Sequence, residues 1–124
     1  MIDPEIAFSA GGQLAIAGWL ALLVSLFVER LRTIAQIAAS MAIPALLAIA
    51  YGLLIRTGFA ESPGGGFGSI EQVRALFASD SALAAGWLHY LAFDLFVGGW
   101  IVAHGLRRNI PSLLILPCLP LTFL

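Results

Sequence analysis

Two stretches of this chain, residues 6–28 and 33–55, contain no charged side chain, and a third, residues 81–104, contains one carboxylate, Asp94, with two histidines, His89 and His104. About 20 predominantly apolar residues match the hydrocarbon thickness of a bilayer. Inside it only helices and closed barrels satisfy their own backbone. Stretches this long are helices, so the chain is expected to be an all-α integral membrane bundle. Its composition agrees: 60% of residues are apolar and 10% charged, against about 45–50% and 25% in soluble domains. Residues 110–124 supply a fourth segment, incomplete and made irregular by Pro117 and Pro120. The 124 residues then form one domain of about four spans, with a loop and a short interfacial helix in residues 57–78.

The punctuation between the spans sets their order. Glu29, Arg30 and Arg32 leave only a short polar turn, so the second span returns antiparallel beside the first. Ala7, Gly11, Ala15 and Gly18 put small residues on one face of the first span, which favours close helix contact. Gln13, its one strongly polar interior residue, is expected to make an interhelical hydrogen bond. Pro44, near the middle of the second span, predicts a kink. Pro63 and Gly64 to Gly66 form a flexible loop, and Ser69-x-x-Gln72 is a capping-box pattern. It heads an amphipathic segment with Ile70, Val73 and Phe77 on one face, expected to lie flat in the interface. Ser79-Asp80-Ser81 caps the third span, Gly105 is its expected stop, and Pro111 suits the first turn of the fourth. Arg30, Arg32, Arg107 and Arg108 outnumber Arg56 and Arg74 on the other side, which puts the short turns in the cytoplasm and the N-terminus outside. Asp3 and Glu5 with no basic residue before Ser9 argue that the first span is retained, not cleaved as a signal peptide.

Several function classes drop out. A net charge of -1 leaves no electrostatic footprint for nucleic acid. One cysteine, Cys118, excludes a disulfide within the chain and is expected as inert packing. No Walker loop, Cys-x-x-Cys or nucleophile elbow occurs. His89 and His104 lie about 22 Å apart along one helix, so they cannot share a metal within one chain, and neither metal nor cofactor is expected.

The chemistry concentrates between Gly86 and Trp100. Asp94 and His89 are costly at membrane depth unless partnered, about 2.5–3.5 kcal/mol for Asp on insertion scales. On a helix, His89, Phe93, Phe96, Trp100 and His104 share one stripe, and Trp87, Tyr90, Asp94, Gly98 and Ile101 another. Asp94 lies about 140° around the axis from His89, so each needs its own partner. Tyr90, one turn before Asp94, can donate its hydroxyl, and Gly98 and Gly99 admit a neighbouring helix. The stretch reads as the inner helix of the bundle with its polar groups turned inward. Burial favours uncharged forms, which makes Asp94 a candidate proton donor and His89 a candidate acceptor. Such a pair performs acid–base chemistry on a lipophilic substrate without a cofactor. Trp87, Tyr90, Phe93, Phe96 and Trp100 suit the walls of a substrate groove, although aromatics at this spacing also serve as plain packing.

The run Trp87-Leu88-His89-Tyr90-Leu91-Ala92-Phe93-Asp94-Leu95-Phe96-Val97-Gly98 resembles the signature of the abscisic-acid-deficient-four-like membrane family, which is related to neoxanthin synthase. Gly66-Phe67-Gly68-Ser69 and Val73-Arg74-Ala75-Leu76-Phe77 before it fit too, as do Leu116-Pro117-Cys118-Leu119 and Leu121-Thr122-Phe123 after it. The resemblance covers the second half of the chain by motif and the first half as hydrophobic helices. It implies carotenoid chemistry in which an acid assists an epoxide oxygen while a base takes a neighbouring proton, with Asp94 and His89 at the matching polar positions. The chain departs from the pattern at His104, where relatives carry an acid, and at Gly99, where many carry Arg or another larger residue. The resemblance also implies further chain after Thr122-Phe123, and residence in a bacterial inner membrane, or in a plastid membrane if the source is photosynthetic. The expected function is a cofactor-independent carotenoid or isoprenoid isomerase. The alternative is a non-catalytic protein that binds pigment or membrane lipid or assembles with a partner, and a homo-oligomer would complete the packing of so small a bundle.

Overall fold

A computed structural model describes residues 2–122 and 124. Met1 and Phe123, the latter part of the Leu121-Thr122-Phe123 motif, lie outside the described residues. The described chain is helical throughout its ordered elements. Helix α1 spans Pro4–Phe27, with Asp3 capping it by accepting a hydrogen bond from the Ile6 N–H at 3.0 Å. Helices α2, Arg32–Ile37, and α3, Ile43–Glu61, are joined by a π-turn, Ala38–Ala42, into one rod running from Glu29 to Glu61. Helix α4 is Ile70–Leu76, α5 is Asp80–Arg107 and α6 is Ser112–Ile115. Two 3-10 turns, Leu116–Cys118 and Pro120–Thr122, continue α6. Three helices, α1, the α2–α3 rod and α5, are long and apolar enough to cross a membrane. The segment Ser112–Thr122 is apolar but too short, and its prolines prevent a continuous α-helical ladder.

Small residues set the spacing of the bundle. Lipid tails are as apolar as leucine, so membrane helices associate through close packing and not through withdrawal from water. Gly11, Ala15 and Gly18 of α1 are buried against α5, and a Cβ added at Gly11 or Gly18 would overlap Leu88 or Leu95. On the other side, Gly58 of α3 lies so close to α5 that a Cβ would meet the Ala82 backbone nitrogen at 2.7 Å. Helix α5 is therefore gripped from both sides. Its Ala84, Ala85, Leu88 and Ala92 pack with Leu47 and Leu54 of α3. Leu95 and Val102 pack with Leu22 and Leu26 of α1, Ala39 of the π-turn, and Ile115 and Leu119 of the C-terminal segment.

The expected kink takes the form of the π-turn. Pro44 has no N–H, and its ring presses on the carbonyl one turn earlier, at Ser40. Widening that turn relieves the clash and pushes Ser40 against Gly99 of α5, where any Cβ would overlap the serine side chain. A larger residue at position 99 has no room here. The rod continues past the expected end at Ile55 to Glu61, and stops because Ser62, held out of the helical region at φ -118° and ψ 79°, precedes Pro63.

The ends are tied by hydrogen bonds. In the first turn, Arg32 Nε donates to the Ser25 carbonyl at 3.0 Å, and the Ser112 hydroxyl donates to the Leu26 carbonyl at 3.0 Å, so both arginine-bearing turns lie at one end of the bundle. At the other end the Ser79 hydroxyl caps α5 through the Ala82 N–H at 3.3 Å and donates to Glu61 Oε2 at 2.7 Å. Ser69 caps α4 through the Gln72 N–H at 3.2 Å, and Gln72 Oε1 accepts from the Gly68 N–H at 2.9 Å, a capping box displaced by one residue.

Helix α4 leaves Ile70 exposed and is anchored through the fully buried Leu76, whose carbonyl accepts from the Ser62 hydroxyl at 3.0 Å. Several local expectations are corrected. The stop of α5 is Asn109 at φ 56°, not Gly105, which is buried under Ile115. Asn tolerates the left-handed conformation, and the Ile110 N–H returns to the Gly105 carbonyl at 3.0 Å. Gln13 points outward beside Ser9, with no interhelical hydrogen bond among the described residues. Cys118 is exposed, with its sulfur on the Leu114 carbonyl at 3.6 Å.

The contact between Gly58 and Ala82 is backbone against Cβ and has no flexible atom to move. Gly58→Ala is expected to cost about 1–3 kcal/mol, read as a lower thermal midpoint in detergent. Gly52, on the same helix with nothing within 4 Å of an added Cβ, is the control. There Gly52→Ala is expected to be neutral or stabilising by up to about 1 kcal/mol.

Candidate functional site

Asp94 lies in the middle of α5 on the face turned toward α1, and only 7% of its surface is exposed. Its helix position explains this, because Leu88, Leu91, Leu95 and Gly98 flank it along the contact with α1 while Ala85 and Ala92 pack with Leu47 and Leu54 of α3. Tyr90, one turn earlier, hydrogen-bonds the Asp94 carboxyl through its hydroxyl. Asp94 Oδ2 is buried and has no hydrogen-bond partner among the described residues. An unpaired buried oxygen costs about 1–3 kcal/mol, more when charged, so this one calls for an explanation.

A groove of about 510 Å³ runs beside the carboxyl between α1 and α5. Gly12, Ala15 and Ile16 of α1 form one wall, and Trp87, Tyr90 and Leu91 of α5 the other. Gly12 leaves open space, with nothing within 4 Å of an added Cβ. Trp19 closes the far end, and it fits only because position 98 is glycine: a Cβ there would come within 2.7 Å of the indole ring. The aromatic walls brace one another, Trp87 stacked on Tyr90 with ring centres 5.5 Å apart and tilted against Phe8 at 5.6 Å.

The expected site residues divide between two faces. Asp94, Trp87 and Tyr90 come together in the groove. His89 does not join them: it is exposed, about 140° around α5, and its ring packs on Tyr51 of α3 with centres 5.1 Å apart. Phe93, Phe96 and Trp100 follow His89 onto the outward face, Phe93 with 61% of its surface exposed. Trp100 stacks on His104 at 4.9 Å. The helix period separates these stripes, and the bundle gives α1 to only one of them. The α1 wall was not singled out from sequence as part of the site. Its small residues at Gly11, Ala15 and Gly18 marked a contact face, but which helix fills that face is a tertiary fact. Among the described residues, no three of His, Cys, Asp or Glu converge as metal ligands.

Comparison with known families gives a match over residues 6–124 to the ABA4-like family, described as ABA DEFICIENT 4-like. The chain belongs to this family. Neither a curated protein nor a solved structure matches it. The match takes in the first two spans as well as the motif-bearing second half, and with three bilayer-length helices it makes the chain a membrane protein of the ABA4-like family.

A carboxyl retained for function should lower stability where it stands, whereas a structural one should support the fold. Asp94→Leu, which removes the unpaired oxygen and keeps the volume, is expected to raise the thermal midpoint in detergent, corresponding to about 1–3 kcal/mol. A lower midpoint would make Asp94 a structural residue.

Proposed function

We propose that this ABA4-like protein is a cofactor-independent isomerase of carotenoid or other isoprenoid lipids, acting within a bacterial inner membrane or a plastid membrane. The observation that carries the reading is a buried carboxyl with one unpaired oxygen beside an apolar groove between two membrane spans. An apolar substrate enters such a groove without leaving the bilayer, and its oxygen function finds a hydrogen-bonding group there.

Isomerisation conserves protons, so one carboxyl is enough. In its neutral form Asp94 gives its proton to a substrate oxygen, such as that of an epoxide, as the C–O bond breaks. The resulting carboxylate takes a proton from a neighbouring carbon as the new C=C bond forms, and the acid is restored. No oxidant or reductant is consumed. The Tyr90 hydroxyl, hydrogen-bonded to the carboxyl, stabilises the carboxylate in between. His89, on the far side of α5 and packed on Tyr51, is outside the reach of this groove. In this reading the base role falls to Asp94 itself.

The competing reading is a non-catalytic binder of pigment or lipid, favoured by the presence of a single titratable carboxyl in the groove. Expression in a carotenoid-producing bacterial host, with pigments and lipids profiled by chromatography and mass spectrometry, separates the two. An isomerase yields a new isomeric product. Asp94→Asn is expected to reduce that product by about 10²–10⁴-fold with ligand retained, and His89→Ala to leave it within a few-fold of wild type. If no product forms but a pigment or lipid co-purifies with wild type and Asp94→Asn alike, the protein is a binder and the acid–base proposal fails.

A further inference from the structure

The end of the bundle away from the arginine turns holds a hollow separate from the Asp94 groove. About 420 Å³ in volume, it lies where α1 and α5 begin and α3 ends, lined by Ile2, Asp3, Pro4, Glu61, Asp80 and Ser81. Asp80 precedes Asp94 by fourteen residues, about 21 Å along α5. Three of the lining side chains are carboxylates, and no arginine pairs with any of them among the described residues. Asp3 Oδ1 accepts from the Ile6 N–H and Glu61 Oε2 from the Ser79 hydroxyl. That leaves Asp3 Oδ2, Glu61 Oε1 and both Asp80 oxygens without a protein partner among the described residues. Glu61 is also the last residue of α3, at the negative end of the helix dipole, and that last turn has no basic residue. A neighbouring hollow shares Asp3, Pro4 and Asp80 and adds a further acid, Glu5.

Ser81 differs from these exposed acids, because only 4% of its surface is open. As the second residue of α5 it has no carbonyl of its own helix one turn earlier to bond. Its hydroxyl makes no hydrogen bond among the described residues and, unlike Asp94 Oδ2, is not sealed off, so what it keeps open faces the hollow. A buried hydroxyl without a partner is uncommon, and this one sits beside uncompensated negative charge.

We infer that this hollow binds a primary ammonium group, with Ser81 Oγ and the free carboxylate oxygens as its acceptors. An ammonium brings one positive charge and three N–H donors, which suits acceptors spread around a wide space. A bare metal ion suits it less. Among the described residues no three acids converge closely enough to ligate one, and the hollow, about 420 Å³, is more than ten times a water molecule's share of the liquid, about 30 Å³. At the end of membrane-spanning helices the ammonium has two sources, the headgroup of phosphatidylethanolamine or a soluble amine.

Native mass spectrometry of the full chain, released from detergent with equal phosphatidylethanolamine and phosphatidylcholine, compares two headgroups of equal charge, of which only the first has N–H donors. Phosphatidylethanolamine is expected to be retained about fivefold or more over phosphatidylcholine. Ser81→Ala and Glu61→Gln should bring that ratio close to one, and Glu71→Gln, at an exposed position of α4, should leave it unchanged. In parallel, thermal midpoints are read in lipid-free detergent with ethanolamine, Mg²⁺ or Ca²⁺. A lipid preference identifies the headgroup as the source. A midpoint raised by ethanolamine in wild type and not in the two variants, with no lipid preference, identifies a soluble amine. The inference is overturned if neither effect is seen, or if both variants keep the wild-type behaviour. It is overturned too if only the divalent ions raise the midpoint, which would make the hollow a site for a hydrated metal ion. Ligand-free midpoints verify the fold of each variant, and Glu61→Gln, at an exposed position, decides the matter if Ser81→Ala disturbs the packing.

Discussion

Close approach of α1 and α3 to α5 is the contact on which the rest of the structure depends. In a bilayer there is little to gain from hiding apolar surface, so helix association rests on how near the backbones come. Gly11 and Gly18 receive Leu88 and Leu95, and Gly58 lies against the Ala82 backbone. These contacts fix the rotation of α5 about its axis, because only one setting turns Leu88 and Leu95 into the glycine hollows while Ala82 meets Gly58.

That rotation also makes the site. With α5 held in this setting, Asp94 faces α1 and is buried, while His89 faces away. Gly98 admits the Trp19 ring that closes the groove, and the neighbouring Gly99 admits Ser40 from the π-turn. A pair of glycines one turn past the carboxyl thus serves two helices at once, one building the wall of the groove and the other supporting α5 from behind. The cost is concentrated at Asp94 Oδ2, unpaired in a low-dielectric setting. Functional sites are where a fold tolerates such a cost.

Much of this was legible in the chain. Charge-free runs of bilayer length reported the spans, arginines reported the turns, and Pro44 reported a distortion that is the π-turn. The hydrogen bond from Tyr90 to Asp94 followed from one-turn spacing, since it lies within a single helix. Local signals at the ends were weaker. Gly105 resembled a helix stop, yet its lack of a side chain serves Ile115, and Asn109 makes the turn. The same residue type answers two demands, a left-handed backbone or a close neighbour, and the sequence does not say which.

By itself, then, the sequence determined what depends on one helix at a time: where the three long apolar helices start and which residues share a stripe, while the fourth expected span proved too short to cross. It also separated Asp94 from His89, because 140° of helix lies between them whatever surrounds it. Only the tertiary structure decided which stripe meets a neighbour. Both stripes of α5 are aromatic and each holds a titratable side chain, so composition does not rank them. The glycine contacts of α1 and α3 do, because the energy of membrane helix packing falls off within an ångström or so of closest approach. They turn the Asp94 stripe to Trp19 and Gly12 and leave Phe93, Phe96 and Trp100 on the outside.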